Sequence, residues 1–132
     1  MATTRSPIVT GVDFVGIPTR DLDVAMQFYG DVLGLPRTAY HEGMFAEYAT
    51  GNLTLNIMNA TKMGLPHEPV RNTIALHVDD MSAALAHLRE HGIEPQGHGG
   101  EAPFDTGVCY MSFLEDPDGN ALMLHHRHAP RD

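Results

Sequence analysis

The alternation of apolar and polar residues divides the chain into short strands and two helices. Strand-like runs rich in β-branched and aromatic residues occur in the first half at 8–17, 37–42, 44–49 and 53–58. The second half has three more, at 73–78, 107–114 and 121–126. Apolar residues recur at helical spacing over 22–33 and 83–90. We therefore expect an α+β protein built from short strands and two amphipathic helices.

The order strand, acidic cap, helix, glycine and proline occurs twice. Asp21 lies 59 residues before Asp80, and each can cap the helix that follows it. Gly34 lies 58 residues before Gly92, where helix-ending glycines are expected. The simplest arrangement is two βαβββ modules in one chain, at about 8–59 and 73–126, with a connector at about 59–72. Each module should curl a mixed sheet around a cavity, within a single domain of residues 1–132.

The sequence Asp-Pro-Asp-Gly-Asn at 116–120 predicts the turn of the last β-hairpin. Proline presets φ, glycine accepts a positive φ, and the Asp and Asn side chains cap the turn. Glu115, Asp116 and Asp118 are therefore interpreted as turn residues. A shorter version, Thr50-Gly51-Asn52, precedes the last strand of the first half.

The segments VDFVGIPTRDLDVAMQFYGDVLGLP and FLEDPDGNALMLH resemble the two signatures of the vicinal oxygen chelate superfamily. This superfamily includes glyoxalase I, extradiol dioxygenases, fosfomycin-resistance enzymes and bleomycin-resistance proteins. The resemblance covers about residues 9–126 and implies the paired βαβββ fold. It also implies a homodimer, because the family often pairs modules through sheet edges that need cover. It does not imply one activity, since the same scaffold hosts several chemistries.

Metal-dependent members of this family hold a divalent ion with His, Gln or Glu side chains on the first and last strands of each module. Counting residues from the two signatures, the matching positions in this chain are Phe14, Asn56, Thr73 and Met123. If the register of the strand after Gly51 is shifted by two residues, Thr54 takes the place of Asn56. A phenyl ring cannot ligate, and neutral oxygens alone hold a hard divalent ion weakly. We therefore expect no metal and no other cofactor at the inherited site.

The histidines leave a second arrangement open. His77 and His125 should share faces with the two inherited positions of the second module, because strand residues two or four apart point to the same side. One interpretation is that both line a pocket or form hydrogen bonds. The other is a relocated metal site built from these two histidines with Asn56 or Glu47. The C-terminal histidine cluster could also trap metal at the surface without a role.

Composition and charge restrict the possible partners. A chain of 132 residues with 42% hydrophobic content suits one globular domain with a real core. The net charge of −9 disfavours nucleic acid and favours cationic small molecules. The lone Cys109 cannot form an internal disulfide, is interpreted as buried filler, and favours a reducing cytoplasm. No apolar run approaches the ~20 residues of a membrane span, and the N-terminal decapeptide has no signal-peptide core.

Our first hypothesis is a metal-independent binding protein for a small organic ligand, with cationic drugs or antibiotics as candidates. The resemblance implies the bleomycin-resistance-like branch. The predicted cavity lining is Phe14, Asn56, Met58, Thr73, His77, Met123 and His125. The glycine-rich segment 96–106 is predicted to form a mobile lid or rim, anchored by Phe104. The alternative is a glyoxalase-like lyase, isomerase or dioxygenase with a relocated divalent metal.

Overall fold

The computed structural model describes residues 7–130. The signal-peptide argument concerns residues 1–10, and the first six of these lie outside the described part of the chain. Each half of the described chain folds into one four-stranded mixed sheet with one helical segment. The predicted α+β fold is therefore confirmed.

Two sheets repeat the same topology. Sheet A has the order β1-β4-β3-β2, with bounds β1 (Val15–Thr19), β2 (Arg37–His41), β3 (Phe45–Ala49) and β4 (Thr54–Asn59). Sheet B has the order β5-β8-β7-β6, with bounds β5 (Ile74–His77), β6 (Phe104–Asp105), β7 (Cys109–Glu115) and β8 (Ala121–Arg127). In both sheets the first strand pairs in parallel with the last strand, and the other neighbours are antiparallel.

Both helices follow the predicted aspartate caps, although the second begins at Met81, two residues before the predicted 83. Helix α1 (Leu22–Met26) is capped by Asp21, whose carboxylate accepts from the N–H of Val24 at 3.3 Å. Helix α2 (Met81–Glu90) is capped by Asp80, which accepts from the N–H of Ala83 at 3.0 Å. No helix in residues 7–130 is both long enough and apolar enough to cross a membrane.

The first helix widens after α1. It continues as a π-helical segment (Gln27–Val32), and the N–H of Leu33 donates to the carbonyl of Phe28, five residues earlier, at 2.9 Å. A π turn accommodates one residue more than an α turn. This extra residue explains why the repeat spacing falls from 59 at the aspartate caps to 58 at Gly34 and Gly92.

The first strand is shorter than predicted. It begins at Val15 rather than at residue 8, and the apolar side chains of Ile8, Val9 and Val12 are exposed. The strand also extends beyond the predicted end at 17 and includes Pro18. β1 is an edge strand that pairs only with β4, and an edge strand tolerates a residue without an N–H.

One face of each sheet packs into a shared core. The buried members come from both helical segments and both sheets: Ile17, Leu22, Ala25, Phe28, Tyr29, Ala46, Tyr48, Leu55, Ile57, Met81, Leu85, Leu88, Leu114, Leu122 and Leu124. Because this core occupies the helix-bearing face of each sheet, the opposite face points away from it. We call these opposite faces the outer face of sheet A and the outer face of sheet B.

Buried polar groups join the two halves where the end of β1 meets the turn before β8, a contact that we call the first junction. Asp116 accepts hydrogen bonds from the Tyr29 hydroxyl at 2.7 Å and from Nδ2 of Asn120 at 2.8 Å. The hydroxyl of Thr19 donates to the Asp118 carboxylate. Burial raises the pKa of the Tyr29 phenol, and the Asp116 carboxylate raises it further, so the phenol stays neutral and donates. The turn thus connects the two halves as well as closing a hairpin.

Candidate functional site

Asn56 lies at the centre of the outer face of sheet A. Its neighbours Leu55 and Ile57 are buried in the core, so the Asn56 side chain points the other way. Strand pairing places Gly16 on one side of it and Glu47 on the other. Asn56 is only 9% exposed, and its Oδ1 atom is buried with no hydrogen-bond partner among the described residues. A buried side-chain amide atom without a partner is uncommon.

The surroundings of Asn56 favour a ligand that donates hydrogen bonds. Glu47 adds a carboxylate to the same face and has no salt-bridge partner within residues 7–130. Gly16 leaves room for Met58, because a Cβ atom at Gly16 would lie 2.7 Å from Cε of Met58. This face therefore combines two acceptors with an adaptable apolar side chain.

The outer face of sheet B is largely apolar. Strand pairing places Met123 next to Phe113, and His125 between His77 and Met111. These side chains are on the face opposite the core, since Leu122 and Leu124 point inward. Two methionines and a phenylalanine form an adaptable apolar wall with imidazoles at one end.

The structure settles which face Cys109 occupies. Along β7, Cys109 lies on one face, and Tyr110 and Ser112 lie on the other. Ser112 points into the core, where its hydroxyl lies 3.3 Å from Sδ of Met81. Cys109 therefore shares the outer face of sheet B with Met111 and Phe113. It is buried and free, as expected for filler.

His77 and Thr73 occupy the margin of sheet B. Thr73 immediately precedes β5 and is exposed. The His77 side chain is 66% exposed, and its Nε2 atom lies 2.8 Å from Oδ1 of Asp79. The His77 ring also lies 5.9 Å from the ring of His126, measured between centroids. His77 is therefore oriented toward the end of the sheet and the neighbouring Asp79.

The single chain does not bring the seven predicted lining residues together. Three belong to sheet A or the residue before it: Phe14, Asn56 and Met58. Four belong to sheet B or the residue before it: Thr73, His77, Met123 and His125. The two outer faces point away from the core that the sheets share. Within one chain the two groups of residues therefore lie on separate faces.

The inherited metal positions carry donors that do not suit a divalent ion. Gly16 and Ala75 occupy equivalent positions in the two modules, and they pair with Asn56 and Met123 respectively. Asn56 is therefore the residue equivalent to Met123, and Thr54 is not. An amide, a hydroxyl, a thioether and a phenyl ring offer no carboxylate and no imidazole. Across residues 7–130, no three His, Cys, Asp or Glu side chains are grouped to hold a metal.

His67 lies in the connector and is largely covered, although a polar residue in a proline-containing connector is usually exposed. Its side chain is 16% exposed, with Nε2 3.8 Å from Oδ1 of Asp118. Both ring nitrogens are buried without a hydrogen-bond partner among the described residues. The connector folds over the first junction, where the N–H of Val70 donates to Oδ1 of Asn120 at 2.7 Å. The position of His67 between two prolines was the available signal of a shaped connector.

The segment 96–106 is attached to β7 at both ends. Gln96 exchanges two backbone hydrogen bonds with Phe113, at 2.9 and 2.8 Å. Phe104, the predicted anchor, lies in β6 and pairs with Met111 at the border of the outer face of sheet B. The segment is thus more regular than expected. Its mobility and its role as a rim stay predictions.

Comparison with known proteins gives a match over most of the chain. The family model described as Glyoxalase/Bleomycin resistance protein/Dioxygenase superfamily matches residues 11–124. Catechol-2,3-dioxygenase from Bacillus subtilis (strain 168) is 28% identical over 123 residues, which are 88% of this chain and 41% of that protein. The chain therefore spans less than half the length of this relative.

Solved structures agree with the fold. TnmS3, an antibiotic binding protein from Streptomyces sp. CB03234, superposes with a TM-score of 0.76 at 24% identity, covering 92% of this chain and 99% of that chain. A glyoxalase/bleomycin resistance protein from the same Streptomyces has a TM-score of 0.69 at 25% identity, covering 84% and 96%. Given the repeated modules and the match over residues 11–124, this chain belongs to the glyoxalase/bleomycin resistance protein/dioxygenase superfamily.

Proposed function

We propose that the protein is a metal-independent binding protein for a small organic molecule that carries N–H donors, such as a cationic drug or antibiotic. The observation that carries this proposal is the buried Oδ1 atom of Asn56, which has no partner among the described residues. A ligand N–H would satisfy this acceptor, and Glu47 on the neighbouring strand would stabilise a positive charge on the ligand. The net charge of −9 would attract such a ligand over longer distances.

We further propose that the cavity forms between two copies of the chain. Phe14, Asn56 and Met58 of one copy would then face Thr73, Met123 and the two histidines of the other, because the shared core keeps these groups apart within one chain. The exposed apolar residues before β1 support this arrangement, since Ile8 and Val9 have no cover in the single chain. A symmetric dimer of this kind would have two equivalent cavities.

The relatives supply a precedent for this use of the fold. TnmS3 is described as antibiotic binding, and its similarity to this chain concerns the fold. No metal or other cofactor is needed for the proposed function. Binding by apolar contacts and a few oriented polar groups is the usual design of such pockets.

Replacing Asn56 with leucine should weaken ligand binding by about tenfold or more, because a hydrogen bond to a charged donor is worth about 1.5–3 kcal/mol. Isothermal titration with a panel of cationic antibiotics, beginning with bleomycin, would measure the change. Asn72→Leu, at an exposed asparagine outside both sheets, is the matched control and should leave the affinity unchanged. Equal affinity of the Asn56→Leu variant and the native chain would contradict the proposal.

Light scattering at micromolar concentration should give twice the mass of the 14.4 kDa chain. Deleting residues 1–12 should shift the equilibrium toward single chains, because it removes the exposed apolar residues before β1. A single-chain mass for the full-length protein at that concentration would count against the shared cavity.

A second candidate function is a lyase, isomerase or dioxygenase with a relocated divalent metal. Two observations favour it, namely the pairing of His77 with His125 and the similarity to a catechol-2,3-dioxygenase. In the proposed dimer, Glu47 or Asn56 of the facing copy would supply a third ligand. The donor chemistry of the four inherited positions makes us rank this candidate second.

A further inference from the structure

A cavity lies between the two halves of the chain, where the turn before β4 faces strand β5. Its volume is about 270 Å³. Its walls are mostly aliphatic and include Leu33, Leu53, Leu55, Leu76, Val78 and Leu124. The polar side chains among its lining residues are Thr50, Asn52 and His77.

This cavity occupies the place that corresponds to the first junction in the repeat. At the first junction the end of β1 meets the turn before β8. Here the end of β5 and the turn before β4 line the same space, and we call this the second junction. The two turns are equivalent, since Thr50 N–H donates to the carbonyl of Leu53 as Asp116 N–H donates to that of Asn120.

Equivalent residues differ in chemistry between the two junctions. The spacing of 59 residues relates Thr19 to Val78 and Tyr29 to Leu88, and the matching turns relate Asn120 to Leu53. The first junction is thus filled by hydrogen-bonded polar side chains, whereas the second carries aliphatic ones. The aliphatic side chains leave a space that the polar network fills in the other half.

We infer that the second junction is a binding site for a small, uncharged and mainly apolar molecule, about the size of one substituted aromatic ring. A closed apolar cavity of about 150 Å³ can hold benzene, so a partly open cavity of about 270 Å³ has room for one substituted ring. The aliphatic walls exclude ions, because nothing in them compensates a buried charge. One polar substituent would face the rim formed by Thr50, Asn52 and His77.

The probe for this inference is 4-methylphenol, with 4-methylbenzoate as a charged probe of similar shape. Titration followed by nuclear magnetic resonance should show saturable binding of 4-methylphenol at submillimolar concentration, and much weaker binding of 4-methylbenzoate. Signals of Val78, Leu53 and Leu124 should shift. Absence of saturable binding up to the solubility limit, or equal binding of both probes, would overturn the inference.

Two variants fill the cavity independently, Val78→Phe and Leu53→Phe. Each should weaken 4-methylphenol binding by about tenfold or more, and a melting curve identifies a variant that has lost its fold. Val24→Phe, on the exposed surface of α1, is the matched control and should bind like the native chain. Asn56→Leu should also leave this binding intact, which separates this inference from the proposed function. If Val78→Phe and Leu53→Phe both keep their fold and both bind 4-methylphenol as the native chain does, the inference is overturned.

Discussion

Replacing Asp116 with alanine should lower the free energy of unfolding by about 3–5 kcal/mol, because several buried donors would lose their acceptor at once. Asp116 accepts from the Tyr29 hydroxyl, from Nδ2 of Asn120, and from the backbone N–H groups of Asp118 and Asn120. Chemical denaturation measures the loss. Glu115→Ala, at the adjacent exposed residue, is the matched control and should cost less than about 1 kcal/mol, since it removes only a surface pair with Arg71. Equal losses in both variants would contradict the assigned role of the first junction.

The same junction predicts how stability depends on alkaline pH. The pKa of Tyr29 is raised in the folded chain by burial and by Asp116. Above about pH 10 the unfolded chain releases this proton while the folded chain keeps it, so stability should fall as the pH rises further. Tyr29→Phe should reduce that pH dependence.

An equal mixture of the Asn56→Lys and Met123→Lys variants should recover about a quarter of the binding capacity of the same amount of native protein. This result is expected if each cavity uses sheet A of one copy and sheet B of the other. Asn56→Lys and Met123→Lys each place a cation in the proposed cavity, which would repel a cationic ligand. Neither homodimer should bind. After subunit exchange, each mixed dimer would contain one cavity without either lysine.

The matched control mixes the native chain with the double variant that carries both lysines. A shared cavity then leaves about a quarter of the sites intact, whereas a cavity within one chain leaves about half. Titration of bleomycin, or of the antibiotic that binds most tightly, would measure the capacity of each mixture. Failure of the two single variants to recover binding would contradict the shared cavity.

The repeat was predictable from sequence because local signals mark it twice. The aspartates at 21 and 80, followed by apolar residues at helical spacing, fixed the helix starts. The turn residues around Gly51 and Gly119 fixed the hairpins, since each glycine has a positive φ. These signals act over a few residues and do not depend on the rest of the fold.

The features that sequence did not reveal depend on distant contacts. Nothing near Asp116 predicts its bond to Tyr29, which lies 87 residues away. The apolar run at 8–14 resembles a strand but pairs with no strand within residues 7–130. The residues assigned to one cavity lie on the outer faces of two different sheets. The sequence could not show this, because residue spacing predicts which strand face a side chain occupies but not how the two sheets pack together.

The account depends most on the absence of a resident metal, and elemental analysis tests this directly. The protein should be purified without a histidine tag and dialysed against millimolar chelator. The C-terminal residues cannot simply be removed to eliminate surface histidines, because β8 extends to Arg127 and His126 contacts the carbonyl of Val78. His128→Ala is the suitable variant for removing adventitious surface binding. We expect far less than one metal ion per chain, with no change in His77→Ala or His125→Ala. One ion per chain that survives chelation and is lost in His77→Ala would contradict the binding-protein proposal and favour the enzyme.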